Sequence, residues 1–79
     1  MDEIINKLCE QIRKLLGDPK IQLEKTEPLI SSGLLDSLNL VDLALMIEDE
    51  FGVVIGDFEL NADTFDTLED LAKLIIERQ

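Results

Sequence analysis

The chain has 79 residues, 18 of them acidic and seven basic, with no histidine and a net charge of −11. That length holds one small hydrophobic core and leaves no room for a second, so residues 1–79 are expected to form a single domain. The charge argues against nucleic acid as a partner, since its phosphates would be repelled, and the lone Cys9 without histidine argues against a disulfide or zinc staple and leaves no metal site.

Aliphatic packing must then carry the fold. Hydrophobic residues make up 46% of the chain but aromatic ones only 4%, a balance rich in Leu and Ile that suits helices. Met1-Asp2-Glu3 lacks the basic start of a signal peptide. The longest apolar run, Leu43 to Ile47, is far too short for a membrane span. These features lead us to expect a cytoplasmic protein.

Ile4, Ile5, Leu8, Ile12, Leu15 and Leu16 recur on one helical face and predict a first helix over residues 2–16. Asp2 and Glu3 suit its positive end, Arg13 and Lys14 its negative end, and Gly17 its exit. Cys9 lies at the edge of the apolar stripe and reads as a buried structural thiol, with no activating cation or Cys-X-X-Cys pattern beside it. Residues 17–36 are broken up by Gly17, Asp18, Pro19, Pro28, Ser31, Ser32 and Gly33. Leu23, Leu29, Ile30, Leu34 and Leu35 are spaced along the same stretch, which predicts an ordered loop pinned across the core.

Asp36 is a good N-cap for a second helix over residues 37–51, ending at Gly52. Val53-Val54-Ile55 has strand composition but no partner strand, and is expected to be an apolar loop plugging the core. A short helical turn is expected within 57–64. Thr67 can cap the last helix, with Asp70 in a capping-box-like position and Leu68, Leu71, Ala72 and Ile75 as its buried stripe. Arg78 suits its negative end. The reading is all-α.

The charge is unevenly spread. All seven basic residues lie in 7–25 or 73–78, while 26–72 carries twelve acidic residues and no basic one. Such a single-sign segment steers basic partners toward it, unless the acidity serves only solubility. On the second helix, at about 100° per residue, Leu40, Leu43, Ala44, Ile47 and Phe51 form the core stripe. Leu38, Asp42, Leu45 and Asp49 lie opposite, two leucines among two carboxylates, which suggests a docking face. The alternative is that the long loop folds over Leu38 and Leu45 is an ordinary exposed leucine.

Ser37 stands at the first position of this helix. A serine hydroxyl needs an adjacent base to act as a nucleophile, and without histidine no Ser-His-Asp arrangement can form. Ser37 is therefore either a helix-start residue or the acceptor for another enzyme's chemistry, and the helix N-terminus beside it favours an attached anion.

The series Gly33-Leu34-Leu35-Asp36-Ser37-Leu38, Val41-Asp42-Leu43 and Glu48-Asp49-Glu50-Phe51-Gly52-Val53-Val54-Ile55, with Phe65-Asp66-Thr67-Leu68 before the last helix, resembles the attachment region of acyl carrier proteins and related carrier domains. The resemblance covers essentially the whole chain. It implies a four-helix bundle of three main helices and a short third one, with a long ordered loop after the first. It also implies a non-enzymatic carrier whose Ser37 bears 4′-phosphopantetheine, transferred from coenzyme A by a separate magnesium-dependent phosphopantetheinyl transferase. The terminal thiol of that arm would hold an acyl or aminoacyl group as a thioester. Asp36 and Leu38 would flank the attachment point, and Asp42, Leu45 and Asp49 would join them in the face read by the transferase, by a loading ligase and by synthases with basic patches. The expected state is a monomer.

Asn39 departs from fatty-acid carriers, which commonly have an acid there. Gly33-Leu34-Leu35 and the 60–66 stretch look more like free-standing aminoacyl, peptidyl or D-alanyl carriers. The cargo thus stays open between acyl intermediates of fatty-acid, polyketide or related biosynthesis and an aminoacyl group. A reading of another class, an unmodified acidic helical adaptor docking basic partners, uses the same face. A calcium-binding protein fits poorly, because no stretch matches an EF-hand loop.

Overall fold

The computed structural model describes residues 1–79. Three α-helices, α1 (Asp2–Leu16), α2 (Ser37–Phe51) and α3 (Leu68–Arg78), are joined by irregular segments, with one 3₁₀ turn at Asp57–Glu59. There is no strand, and Val53-Val54-Ile55 is a loop whose outer two residues are buried and whose middle one is exposed. The fourth helical piece expected between 57 and 64 is that single three-residue turn. Asn61 limits it: its Oδ1 accepts the backbone N–H groups of Asp63 and Thr64 and the Thr64 hydroxyl, so the chain turns here instead of continuing a helix.

Each α-helix begins and ends where its residues dictate. Asp2 and Glu3 sit in the first turn of α1, Arg13 and Lys14 in its last, and Gly17 closes it. Arg13 also reaches over the exit to donate from Nε to the Ile21 carbonyl at 2.8 Å, fastening the start of the following loop. Gly52 stops α2 at φ 70°, a left-handed conformation that a side chain would strain, and its N–H caps the Glu48 carbonyl. Thr67 caps α3 by accepting the Asp70 N–H at 3.0 Å. The Asp70 carboxylate reaches one residue further back than in a capping box, to the Asp66 N–H at 3.3 Å.

Helix α1 packs against both α2 and α3. Its stripe of Ile5, Leu8 and Ile12 meets Leu40, Leu43 and Ile47 of α2 and Leu68, Leu71, Ala72 and Ile75 of α3 in one cluster of 16 buried residues. Cys9 is in that cluster, and burial raises its thiol pKa against the opposing pull of Arg13. Gln11 is also buried, with its Nε2 donating to the Met46 carbonyl at 3.2 Å and its Oε1 unpartnered. This amide crosses the α1–α2 contact, where helical periodicity alone would place an apolar residue.

The segment between α1 and α2 contributes to the core directly. Leu29 and Leu35 are buried at 0% and 2% exposure, and the Leu35 N–H donates to the Leu29 carbonyl at 3.0 Å. Phe65, the one fully buried aromatic, plugs the core just ahead of α3. A domain this small has a total stability of roughly 4–12 kcal/mol, so one deleted core side chain is a large fraction of it. Leu29→Ala is expected to cost about 2–5 kcal/mol, although Leu29 belongs to no helix. Urea unfolding followed by circular dichroism should show its midpoint falling as far as that of Ile12→Ala in the centre of α1.

Candidate functional site

The candidate site is the N-terminal end of α2. Asp36, extended at φ −93° and ψ −178°, accepts the Asn39 N–H at 2.8 Å, and the Asn39 side chain reciprocates by accepting the Asp36 N–H at 3.1 Å. This reciprocal capping box fixes the first turn of the helix. Asn39 thereby closes the box with a neutral amide and places no negative charge in the first turn. Helices α1 and α3 each carry two carboxylates in their first turns, whereas α2 carries none.

Ser37 is the first residue inside the helix and is exposed. The capping hydrogen bonds are made by Asp36 and Asn39, which leaves the Ser37 hydroxyl outside them. The first N–H groups of a helix have no intrahelical acceptor and carry the positive end of the helix dipole. The cap uses the third of them, on Asn39, and leaves those of Ser37 and Leu38 without a side-chain acceptor, an arrangement that favours an anion at the helix start. The Asp36 carboxylate, which accepts the Asn39 N–H, opposes such an anion, while the N–H groups of the first turn favour it. The residues present fit a phosphodiester-linked arm.

The remaining residues of the expected face are all exposed. Leu38 stands at 78% and Leu45 at 60%, so the loop does not fold over Leu38. Asp42 and Asp49 are exposed with them, and Val41 adds a third outward apolar side chain at 44%. Structure and periodicity agree on the inner face, where Leu40, Leu43 and Ile47 are buried while Ala44 and Phe51 are partly so.

What presents Ser37 is a tie that the periodicity of the sequence does not reveal. Asp66, just before α3, accepts the Ile30 N–H at 2.7 Å, the Ser31 N–H at 2.9 Å and the Ser31 hydroxyl. Its own carbonyl accepts the Leu29 N–H at 2.6 Å, and the Lys25 carbonyl accepts the Glu69 N–H at 3.0 Å. The loop ahead of Ser37 is thus bolted to the start of α3 across more than thirty residues of chain. The Ser31 hydroxyl, then the Ser31 and Ile30 amides, hold the Asp66 carboxyl below its ordinary value. A hint is present in the polar run Ser31-Ser32 facing the Phe65-Asp66-Thr67 stretch, but pairing across such a distance has no periodic signal.

The family model described as the phosphopantetheine attachment site matches residues 6–75, nearly the whole chain and the entire α2 region. The chain belongs to the phosphopantetheine-attachment family of acyl carrier proteins. It is 35% identical to an acyl carrier protein of Thermotoga maritima over 74 residues, covering 94% of this chain and 89% of that one. It is 35% identical to one of Rickettsia typhi over 78 residues, covering 99% and 88%, and 30% identical to one of Thermobifida fusca over 73 residues, covering 92% and 90%. Members of this family are carriers and not enzymes, and the covalent cofactor of the family is phosphopantetheine.

The tie makes a pH-dependent prediction. A carboxyl whose folded pKa is lowered stabilises the fold above its unfolded pKa, and that contribution is lost as pH falls through the folded value. Asp66→Asn should therefore melt below the wild type at neutral pH, and the gap in Tm should narrow continuously as the pH is lowered through the carboxylate range. Thermal melts of the two proteins across that range check it.

Proposed function

We propose that residues 1–79 act as one acyl carrier unit, in which Ser37 bears 4′-phosphopantetheine and the protein delivers thioester-bound acyl intermediates to enzymes of fatty-acid, polyketide or related biosynthesis. The observation that carries this reading is an exposed serine hydroxyl at the first position of a 15-residue helix whose first turn is free of carboxylates, inside a chain that matches the attachment-site family over 6–75.

The chemistry of loading follows from what this chain has and lacks. The Ser37 oxygen forms a new bond to the β-phosphorus of coenzyme A, the bond from that phosphorus to the bridging oxygen breaks, and adenosine 3′,5′-bisphosphate leaves. The proton of the hydroxyl goes to a base on the transferase, since this chain has no histidine and the neighbouring Asp36 is engaged as a cap. When bound, the group supplies a terminal thiol, a better leaving group in acyl transfer than an alcohol. The rest falls to the protein. Helix α2 holds the hydroxyl clear of the surface, and its N-terminal amides favour the phosphodiester. Asp36 and Leu38 flank the attachment point, and Asp42, Leu45 and Asp49 present contact area and negative charge to basic partners.

The partners on this reading are the transferase, an acyl-loading ligase and synthases with basic docking patches, met by a cytoplasmic monomer. The acyl cargo is supported by relatives named acyl carrier proteins.

The test is intact-mass measurement after incubation with coenzyme A, magnesium and a broad-specificity phosphopantetheinyl transferase. Wild type should gain one phosphopantetheine and Ser37→Ala none, with both showing the same helical circular dichroism. A wild-type protein left unmodified beside a modified control carrier would point to the acidic adaptor instead.

A further inference from the structure

We infer that Phe58, together with Val54, is a docking anchor for the phosphopantetheinyl transferase, its ring entering an apolar pocket rimmed by Arg or Lys on that enzyme. This rests on the carrier reading of Ser37 and adds a second contact to it, on a different element from α2.

Phe58 is the most exposed large apolar side chain in the molecule, at 84%, and Val54 stands four residues earlier at 63%. A single exposed leucine needs no explanation, but a phenylalanine this exposed, on a turn whose backbone is clamped, is different. Its ring lies over Gly56, where an added Cβ would come within 2.8 Å of the ring Cε1, so the glycine leaves the space in which the ring rests. The turn beneath is clamped. The Gly56 N–H donates to Glu59 Oε1 at 3.0 Å, and the Asn61 side chain donates to the Phe58 carbonyl at 2.8 Å. Arg78, at the end of α3, grips Glu59 with both terminal nitrogens and donates to the Val54 carbonyl at 3.2 Å. One guanidinium therefore fixes both ends of the segment that displays Val54 and Phe58. An exposed aromatic carried on a hydrogen-bonded turn is the kind of group that anchors interfaces.

Charge selects the kind of partner. Asp57 beside the ring and Asp63 just beyond it are exposed, residues 26–72 contain no basic side chain, and Arg78 is already paired with Glu59. A pocket that receives this ring therefore meets negative charge around it, and a basic rim is the complement. The same enzyme can cover Ser37. The segment that starts at Phe58 ends at Asp66, which is hydrogen-bonded to residues 30 and 31 of the loop leading to Ser37. The Cα trace measures 29 × 25 × 21 Å, and a standard footprint of about 800 Å² per partner is roughly 30 Å across.

The experiment is steady-state kinetics of phosphopantetheinyl transfer with the full chain as the varied substrate, coenzyme A saturating, and the broad-specificity transferase as probe. Phe58→Ala should raise KM about tenfold with kcat within about twofold, because the ring contributes to docking and not to the chemistry at Ser37. Gly56→Ala keeps the ring but displaces it, and should raise KM in the same direction. Both variants should keep the wild-type Tm within a few degrees, which separates lost docking from lost fold. KM values for both variants within twofold of wild type would overturn the inference while leaving the carrier reading intact. So would a wild-type dimer that Phe58→Ala abolishes, since the ring would then belong to a second copy. A wild type that takes up no phosphopantetheine would instead remove the reading beneath it.

Discussion

The Asp66 carboxylate, with the backbone carbonyl beside it, is the constraint on which the placement of the site depends. Twenty residues separate α1 from α2, and a connection of that length without secondary structure is uncommon in a compact domain. Here it is held on two sides. Leu29 and Leu35 bury their side chains in the core, and between them Asp66 takes the amides of Ile30 and Ser31 and the Ser31 hydroxyl. The apolar contacts set how deep the loop sits, and the directional hydrogen bonds set where along α3 it lies. With the loop fixed, Asp36 arrives extended at the start of α2, and the first helical residue is an exposed serine. Loosening the tie would leave the helix intact but change how its end is offered to a partner.

Much of this can be read in the sequence because it is local. The bounds of α1 and α2 follow from caps and from a stripe with helical period, and Gly17 and Gly52 stop them in left-handed conformations. The inner and outer faces of α2 come from 100° of rotation per residue and nothing else. The turn at Asp57–Glu59 is legible as a turn but not in extent, since Asn61 ends it through its own side chain. What escapes are pairings between distant residues: Asp66 with Ser31, Arg78 with Glu59, and Gln11 with the Met46 carbonyl. Arg78 lies at the negative end of α3 as its position implies, yet its guanidinium is engaged by the 3₁₀ turn. No periodicity records such contacts.

The charge is divided along the chain. Basic residues are confined to 7–25 and 73–78, and several of these are engaged by the chain itself. Lys7 meets Glu50 at 3.5 Å, Lys73 meets Glu69 at 3.6 Å, and Arg78 meets Glu59. The first two are exposed pairs of small energetic weight, and with Arg78–Glu59 they engage three of the twelve acidic residues of 26–72, leaving the other nine without a basic partner. Asp42, Asp49 and Asp57 then stand beside Leu38, Leu45 and Phe58 as exposed carboxylates among exposed apolar groups. On the proposed docking reading, long-range attraction would bring a basic enzyme up quickly and the apolar groups would decide where it stops.

The proposed acceptor is the hydroxyl at the start of α2, and no other hydroxyl of the chain. That assignment is tested most directly by two-dimensional ¹H–¹⁵N NMR of the protein before and after treatment with the transferase. The Ser37 and Leu38 amides should shift most, Asn39 and Leu40 should follow weakly, and the amides of Ile30 and Ser31 on Asp66 should stay in place. The largest shifts at Ser31 or Ser32, or none at the start of α2, would contradict it.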